Sequence, residues 1–252
     1  MLEVENLRIS FGTHNAVCGI NFSLEHGQSL AIVGESGSGK SATALATLGL
    51  LPANATVDGE ILFEGENVCT MNSKQLQSIR GKKIAMVFQE PMTSLNPVFS
   101  IGEQIMETML AHESLTRREA KRRTIIALEE VGIDKNRVHS YPHEFSGGMR
   151  QRVVIAIALA CKPKLLIADE PTTALDATTS VQIIELLKEL QLKHGMAIIF
   201  ITHDLCIVPS IAEQLCVMRE GSIVESGKTE AILHTPIHPY TVAITACIPS
   251  IH

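Results

Sequence analysis

Residues 29 to 41 read Ser29-Leu30-Ala31-Ile32-Val33-Gly34-Glu35-Ser36-Gly37-Ser38-Gly39-Lys40-Ser41. The apolar run at the front has the character of a buried strand. It leads straight into the pattern G-x-x-x-x-G-K-[ST], and helix-forming residues follow over 41–51, with Pro52 expected to stop them. Strand, glycine-rich loop and helix in that order form a phosphate cradle. Glycines let backbone N–H groups turn inward without a Cβ in the way, and the helix start adds its positive dipole end. Gly34, Glu35, Ser36, Gly37, Ser38, Gly39, Lys40 and Ser41 are therefore the expected nucleotide contacts. Lys40 would reach the β- and γ-phosphates as a point charge, and the Ser41 hydroxyl would ligate Mg²⁺.

Outward from this loop, residues 2–9 alternate apolar and polar like a half-buried strand, Gly12-Thr13 suggests a turn, and 16–24 alternates again. A strand is expected over 85–88. Residues 101–131 are mainly helical, with Arg117, Arg118, Glu119, Lys121, Arg122 and Arg123 as a solvated face. A helix follows Ser146 as far as 161, then a strand at 165–168, a helix at 179–194 and a buried strand at 197–202. Strands alternating with helices argue for an α/β fold with a mostly parallel sheet and helices on both faces. The expected organisation is one domain over 1–252. Its core comprises about 1–90 and 162–252, and an inserted helical subdomain occupies about 91–161.

Leu165-Leu166-Ile167-Ala168-Asp169-Glu170 is an apolar strand that ends in two acids. At a strand tip near a phosphate loop, Asp169 suits Mg²⁺, and Glu170 suits the orientation or deprotonation of an attacking water. Without the phosphate loop, a helix cap would be the plainer reading of this pair.

Composition narrows the function classes. The net charge is -6, where a nucleic-acid binder has a basic excess. No apolar stretch approaches the ~20 residues of a membrane span, so a membrane role has to go through a partner. Glu3 and Glu5 directly after Met1 argue against a signal peptide. Cys18, Cys69, Cys161, Cys206, Cys216 and Cys247 form no C-x-x-C pair and read as buried, reduced thiols.

Further elements in fixed order resemble the ABC ATPases over nearly the whole chain. Gln89 after the 85–88 strand resembles the family's Q-loop. Phe145-Ser146-Gly147-Gly148-Met149, continued by Arg150-Gln151-Arg152, looks like the ABC signature. Ala174-Leu175-Asp176 resembles the D-loop, and Thr202-His203-Asp204 the switch-histidine loop. The resemblance implies a P-loop NTPase fold of the ABC ATPase type, with an N-terminal antiparallel β subdomain and a helical signature subdomain. It further implies a head-to-tail dimer with two ATP molecules in the interface, each held by one subunit's phosphate loop and by Ser146, Gly147 and Gly148 of the other. His203 would contact the γ-phosphate. Gln89 would touch Mg²⁺ or the attacking water, and Asp176 would link the two sites. Phe11 lies where the family stacks an aromatic on adenine, a core phenylalanine being the alternative. Phe145 and Met149 stand where the general pattern has leucine and glutamine, which reads as a subfamily trait.

Three strings resemble the oligopeptide, dipeptide and nickel importers. They are Gln89-Glu90-Pro91-Met92-Thr93-Ser94-Leu95-Asn96-Pro97, Tyr141-Pro142-His143-Glu144-Phe145-Ser146 and His238-Pro239-Tyr240-Thr241. The resemblance implies a subunit on the cytoplasmic face of the membrane. Its partners would be a second ABC ATPase (a paralogue, or a copy), two permeases and, indirectly, an external binding protein. The end at His252, soon after Thr241, leans the cargo to nickel, with short peptides the alternative. A nickel site on this chain is not expected, because Pro142 separates His139 from His143 and Pro236 separates His234 from His238. A soluble, non-transport ABC ATPase is the competing class. Those carry tandem domains or long coiled coils, and no sustained heptads are present here.

Overall fold

The computed structural model describes residues 1–89 and 94–246. Glu90, Pro91, Met92 and Thr93 of the first string, and Cys247, lie outside the described residues. The chain forms two compact units, one of Met1–Gln77 with Ala197–His252 and the other of Ser78–Met196.

The first unit holds two sheets. β1 (Leu2–Phe11), β2 (His14–Leu24), β4 (Ala55–Phe63) and the short β5 (Glu66–Asn67) make an antiparallel sheet in the order β2-β1-β4-β5. β1 buries Leu2, Val4, Leu7 and Ile9, the apolar positions of its alternation. The second sheet is built on β3 (Ser29–Val33), buried along its whole length. β3 runs parallel to both β8 (Ala197–Thr202) and β9 (Gln214–Arg219), and β10 (Ser222–Lys228) returns antiparallel on β9. Continuous burial explains why β3 and β8 read as unbroken apolar runs.

α1 (Lys40–Thr47) ends before the expected residue 51, and Pro52 is not what stops it. Gly49 takes φ 60°. Its N–H reaches Ala46 O at 2.8 Å, and the Leu50 N–H reaches Leu45 O at 2.8 Å. This pair of bonds is the glycine C-cap that satisfies a helix's last carbonyls, and it leaves Pro52 in the following loop. A short helix, α2 (Ser73–Ile79), comes after β5.

In the second unit β6 (Ile84–Val87) and β7 (Leu165–Asp169) pair in parallel, with Val87 opposite Ala168. The mainly helical stretch 101–131 is two helices, α3 (Ile101–His112) and α4 (Arg117–Glu130). Thr116 restarts the helix by accepting the Glu119 N–H at 3.2 Å. Of the basic cluster, Arg122 lies exposed beside Glu119, while Arg123 turns inward. Its two guanidinium nitrogens hold the Glu113 carboxylate at 2.6 and 2.9 Å, and one also donates to Ala160 O at 3.2 Å. Then come α5 (Gly147–Leu159) and α6 (Ala177–His194). The first unit closes with α7 (Val208–Ile211), α8 (Thr229–His234) and α9 (Pro239–Thr245).

The cysteine reading needs correction. Cys161 and Cys216 are buried, but Cys18, Cys69 and Cys206 are exposed. Cys18 sits at an outward position of β2's alternation, Cys69 lies in a single 3₁₀ turn over Val68–Thr70 and Cys206 in a turn, where a neighbouring apolar run does not imply burial. Burial pushes the Cys216 thiol up to about 12. Among the described residues, no helix is long and apolar enough to cross a membrane.

Candidate nucleotide-binding site

The loop 34–39 leaves β3 at its C-terminal end. Glycine is required by contact at two of its positions. A Cβ on Gly39, which has φ 103°, would come within 2.5 Å of Ala16 O. A Cβ on Gly34 would meet Met218 O at 2.1 Å. Lys40, 5% exposed, folds back over the loop and donates from Nζ to Gly34 O at 2.8 Å and Glu35 O at 2.7 Å. Ser38 Oγ lies 3.4 Å from the same Nζ. An ammonium with this many oxygen neighbours is an anion site held closed by its own carbonyls. Ser36 and Gly37 are exposed along the loop, and Ser41 is exposed on the first turn of α1. Phe11 ends β1 opposite His14 and is half-buried, not a core residue. The strand that leaves this hairpin passes the loop at Ala16 and Val17.

β8 lies in register beside β3, with Val33 opposite Thr202. Gly34 and His203 therefore leave adjacent parallel strands at the same carboxyl edge, where open α/β sheets bind ligands. His203 is exposed on a turn. Thr202 Oγ accepts the Asp204 N–H at 3.0 Å, and Asp204 Oδ1 accepts the Cys206 N–H at 2.9 Å.

The second unit repeats the device. β6 and β7 end side by side, which brings Gln89 to Glu170: Gln89 Nε2 donates to Glu170 Oε2 at 3.0 Å. Thr173 Oγ donates to that same oxygen at 2.8 Å. Glu170 has φ 46°, in the left-handed region where a residue with a side chain is strained. Such strain concentrates at functional positions. Asp169, 6% exposed, is the last residue of β7.

Ser146 caps α5, accepting the Met149 N–H at 3.4 Å, and Gly147 follows it exposed. The first N–H groups of this helix have no partners within it, so they form an anion-binding end. A Cβ on Gly148 would stand 2.3 Å from Thr179 Cγ2, and one on Gly147 would stand 3.5 Å from Leu175. The signature thus packs on Leu175 and Thr179 of its own chain. Asp176 caps α6, its Oδ2 accepting from Thr179 Oγ at 2.7 Å and its Oδ1 from Thr179 N–H at 3.0 Å. These two bonds, the hydroxyl's first, hold its carboxyl below the usual range.

The two departures in the signature share one partner that the sequence reading missed. The Arg137 guanidinium lies 4.2 Å from the centre of the Phe145 ring. It also approaches Met149 Sδ at 3.8 Å and donates to Glu144 O at 2.9 Å. Thr173 was missed as well, although its spacing of three residues from Glu170 is that of a local turn contact.

A phosphate loop alone fits many nucleotide hydrolases. The serine-capped start of α5 adds a second set of backbone N–H groups of the kind that meet anions. The family model described as ABC transporter matches residues 17–173, and the chain belongs to the ABC transporter family. It is 52% identical to the oligopeptide transport ATP-binding protein of Bacillus subtilis (strain 168), over 100% of this chain and 72% of that one. It is 46% identical to the dipeptide transport ATP-binding protein of the same organism, over 99% of this chain and 77% of that one. Among solved structures it resembles the ATP-binding cassette MJ0796, a dimer in a post-hydrolysis state bound to ADP and Pi. There the TM-score is 0.79 at 27% identity, over 91% of this chain and 99% of that one.

Proposed function

We propose that this chain is the ATP-hydrolysing subunit of a membrane importer for short peptides, working at the inner membrane face as one of a pair of ATPase subunits. The observation that carries this reading is the presence of two anion sites in one chain, the loop around Lys40 and the helix start at Ser146. One ATP needs only one such loop, so the second site serves the nucleotide of a partner subunit. The dimeric ADP-bound relative supports that arrangement.

In the proposed reaction Lys40 exchanges its loop carbonyls for phosphate oxygens, and the loop N–H groups bind the rest. Glu170, steadied by Gln89 and Thr173, orients the attacking water and takes its proton. His203 and the partner's signature helix start contact the γ-phosphate, and Asp176 links the two sites. The Ser41 hydroxyl, the Asp169 carboxylate and the Gln89 amide oxygen would hold Mg²⁺, all three being oxygen donors. This fits Mg²⁺, which takes one or two carboxylates and leaves other positions to water and phosphate. When bound, Mg²⁺ neutralises charge on the transferred phosphoryl group. Phe11 stacks on adenine. Once the γ-phosphate is lost, the contacts that favour the closed pair go with it, and the permeases reset.

The names of the relatives favour short peptides over nickel as cargo. Chain length, the basis of the lean to nickel, has no chemical bearing on what the permeases carry. Uptake of a labelled dipeptide and of ⁶³Ni²⁺ in cells with either the native gene or the Glu170→Gln allele tests both halves. Dipeptide uptake is expected to fall to background while nickel uptake holds. Nickel loss alone would reverse the cargo assignment. In the purified complex Glu170→Gln should bind ATP normally and hydrolyse it ~10²–10⁴ times more slowly. Turnover at the native rate would remove Glu170 as the base.

A further inference from the structure

The string His238-Pro239-Tyr240-Thr241 has no role in the reaction as described, yet its geometry leads to the phosphate loop. His238 caps α9, its Nδ1 accepting the Tyr240 N–H at 3.2 Å. Pro239 occupies the first helical position, where no N–H is needed. Just before it, the N–H groups of Ile237 and His238 donate to the Glu225 carboxylate on β10 at 2.9 and 3.0 Å. The start of α9 is thereby tied to the sheet.

Tyr240, held on that start, is 6% exposed. Its phenol oxygen accepts the Glu35 N–H at 3.2 Å. The Arg219 guanidinium lies over its ring, 5.0 Å from the ring centre. Burial raises the phenol's pKa, the Glu35 N–H bond pulls it back, and the charge of the Glu35 carboxylate raises it again. The net shift is upward, so the hydroxyl stays protonated. Glu35 is the second residue of the loop, and its carbonyl already accepts from Lys40 Nζ at 2.7 Å. One loop residue is therefore gripped on its N–H by Tyr240 and on its carbonyl by Lys40.

We propose that Tyr240 is a positioning residue of the phosphate loop, its hydroxyl fixing the backbone at Glu35 so that the loop is shaped for phosphate before nucleotide arrives. The inference rests on the reading of 34–41 as the nucleotide loop. Tyr240 touches no substrate and acts through Glu35. When Lys40 swings to the phosphates it gives up the Glu35 carbonyl, which keeps the Ser38 N–H at 3.2 Å, and the Tyr240 bond still holds the Glu35 N–H. Preorganisation of this kind shows in affinity, because a loop that spends time in other shapes binds in proportion to its competent fraction.

The test is Tyr240→Phe in the full chain, which keeps the ring, its volume and the Arg219 contact and removes only the oxygen. Mg-ATP and Mg-ADP binding are measured by calorimetry beside the melting temperature of the nucleotide-free protein. Thr241→Val is the control, a hydroxyl removed one residue further on at a fully buried position. Lys40→Ala tests the loop reading itself. Tyr240→Phe is expected to weaken both nucleotides about fivefold, the size of one neutral hydrogen bond, with the melting temperature within about a degree of native. Native affinity in Tyr240→Phe would overturn the proposal. So would a loss of affinity that only tracks a fall in melting temperature, as in Thr241→Val. Native affinity in Lys40→Ala would instead overturn the loop reading beneath it.

Discussion

At the scale of single residues, Arg137 explains why the signature can depart from the general pattern. Its guanidinium is satisfied at once by an aromatic face, a thioether and a carbonyl, and Phe145 and Met149 supply two of the three. Leucine offers no π-face, so Phe145 and Arg137 belong together. Arg137→Ala is expected to destabilise the chain by about 1–2 kcal/mol in urea denaturation and to lower ATPase activity of the assembled pair severalfold. In a chain already carrying Phe145→Leu and Met149→Gln the same change should cost less than half as much, because coupled residues are not additive. Equal costs in the two backgrounds would remove the coupling. The sequence reading found both departures but not their partner. Arg137 stands in a short 3₁₀ helix (Lys135–His139) before the signature, where no periodicity links it to Phe145 or Met149.

At the scale of elements, the Arg123–Glu113 fork shows how the helices of the second unit are held. It joins the residue that ends α3 to the second turn of α4, and Arg123 reaches on to the carbonyl at the end of α5. The hydrogen bond from Arg123 holds the Glu113 carboxyl below its ordinary value, against the opposing effect of burial. A lowered folded-state value means the contribution is complete above the unfolded carboxylate value and is lost as pH falls through the folded one. Unfolding free energies of native and Glu113→Gln protein should therefore differ at pH 7, by about 1–2 kcal/mol for a half-buried charged pair, begin to converge as pH falls below about 4 and meet only below the lowered folded-state value. A constant gap across that range would rule the pair out as the cause. Helix content here was legible from apolar spacing, but the helix start at Thr116 with Glu119 three residues on went unread. The Gly49 stop was readable too, but Pro52 is the louder signal and the nearer glycine acts first.

At the scale of the whole molecule, the two anion sites predict assembly driven by nucleotide. Glu170→Gln protein, alone or mixed with a paralogous ATPase subunit, should shift from monomer to dimer in Mg-ATP and remain monomeric in Mg-ADP, as read by sedimentation velocity. Ser146→Arg, which puts a bulky cation at the helix start, should abolish that dimer while ATP binding to the single chain changes less than twofold. A dimer that survives Ser146→Arg would place the second phosphate contact elsewhere.

The sequence by itself determined the local chemistry. The glycines, lysine and hydroxyls of 34–41, the acids at the end of 165–170 and the capped Ser146-Gly147-Gly148 all act through backbone conformation and neighbours a few residues away, and that information is written in spacing. Only the tertiary structure decided the long-range pairs: Gln89 on Glu170, 81 residues apart, and Tyr240 on Glu35, 205 residues apart. Those pairs depend on parallel strand register and on where a helix start is tied to the sheet. Both are set by packing over the whole unit, and no segment's own pattern of apolar and polar residues encodes which distant side chain it will meet.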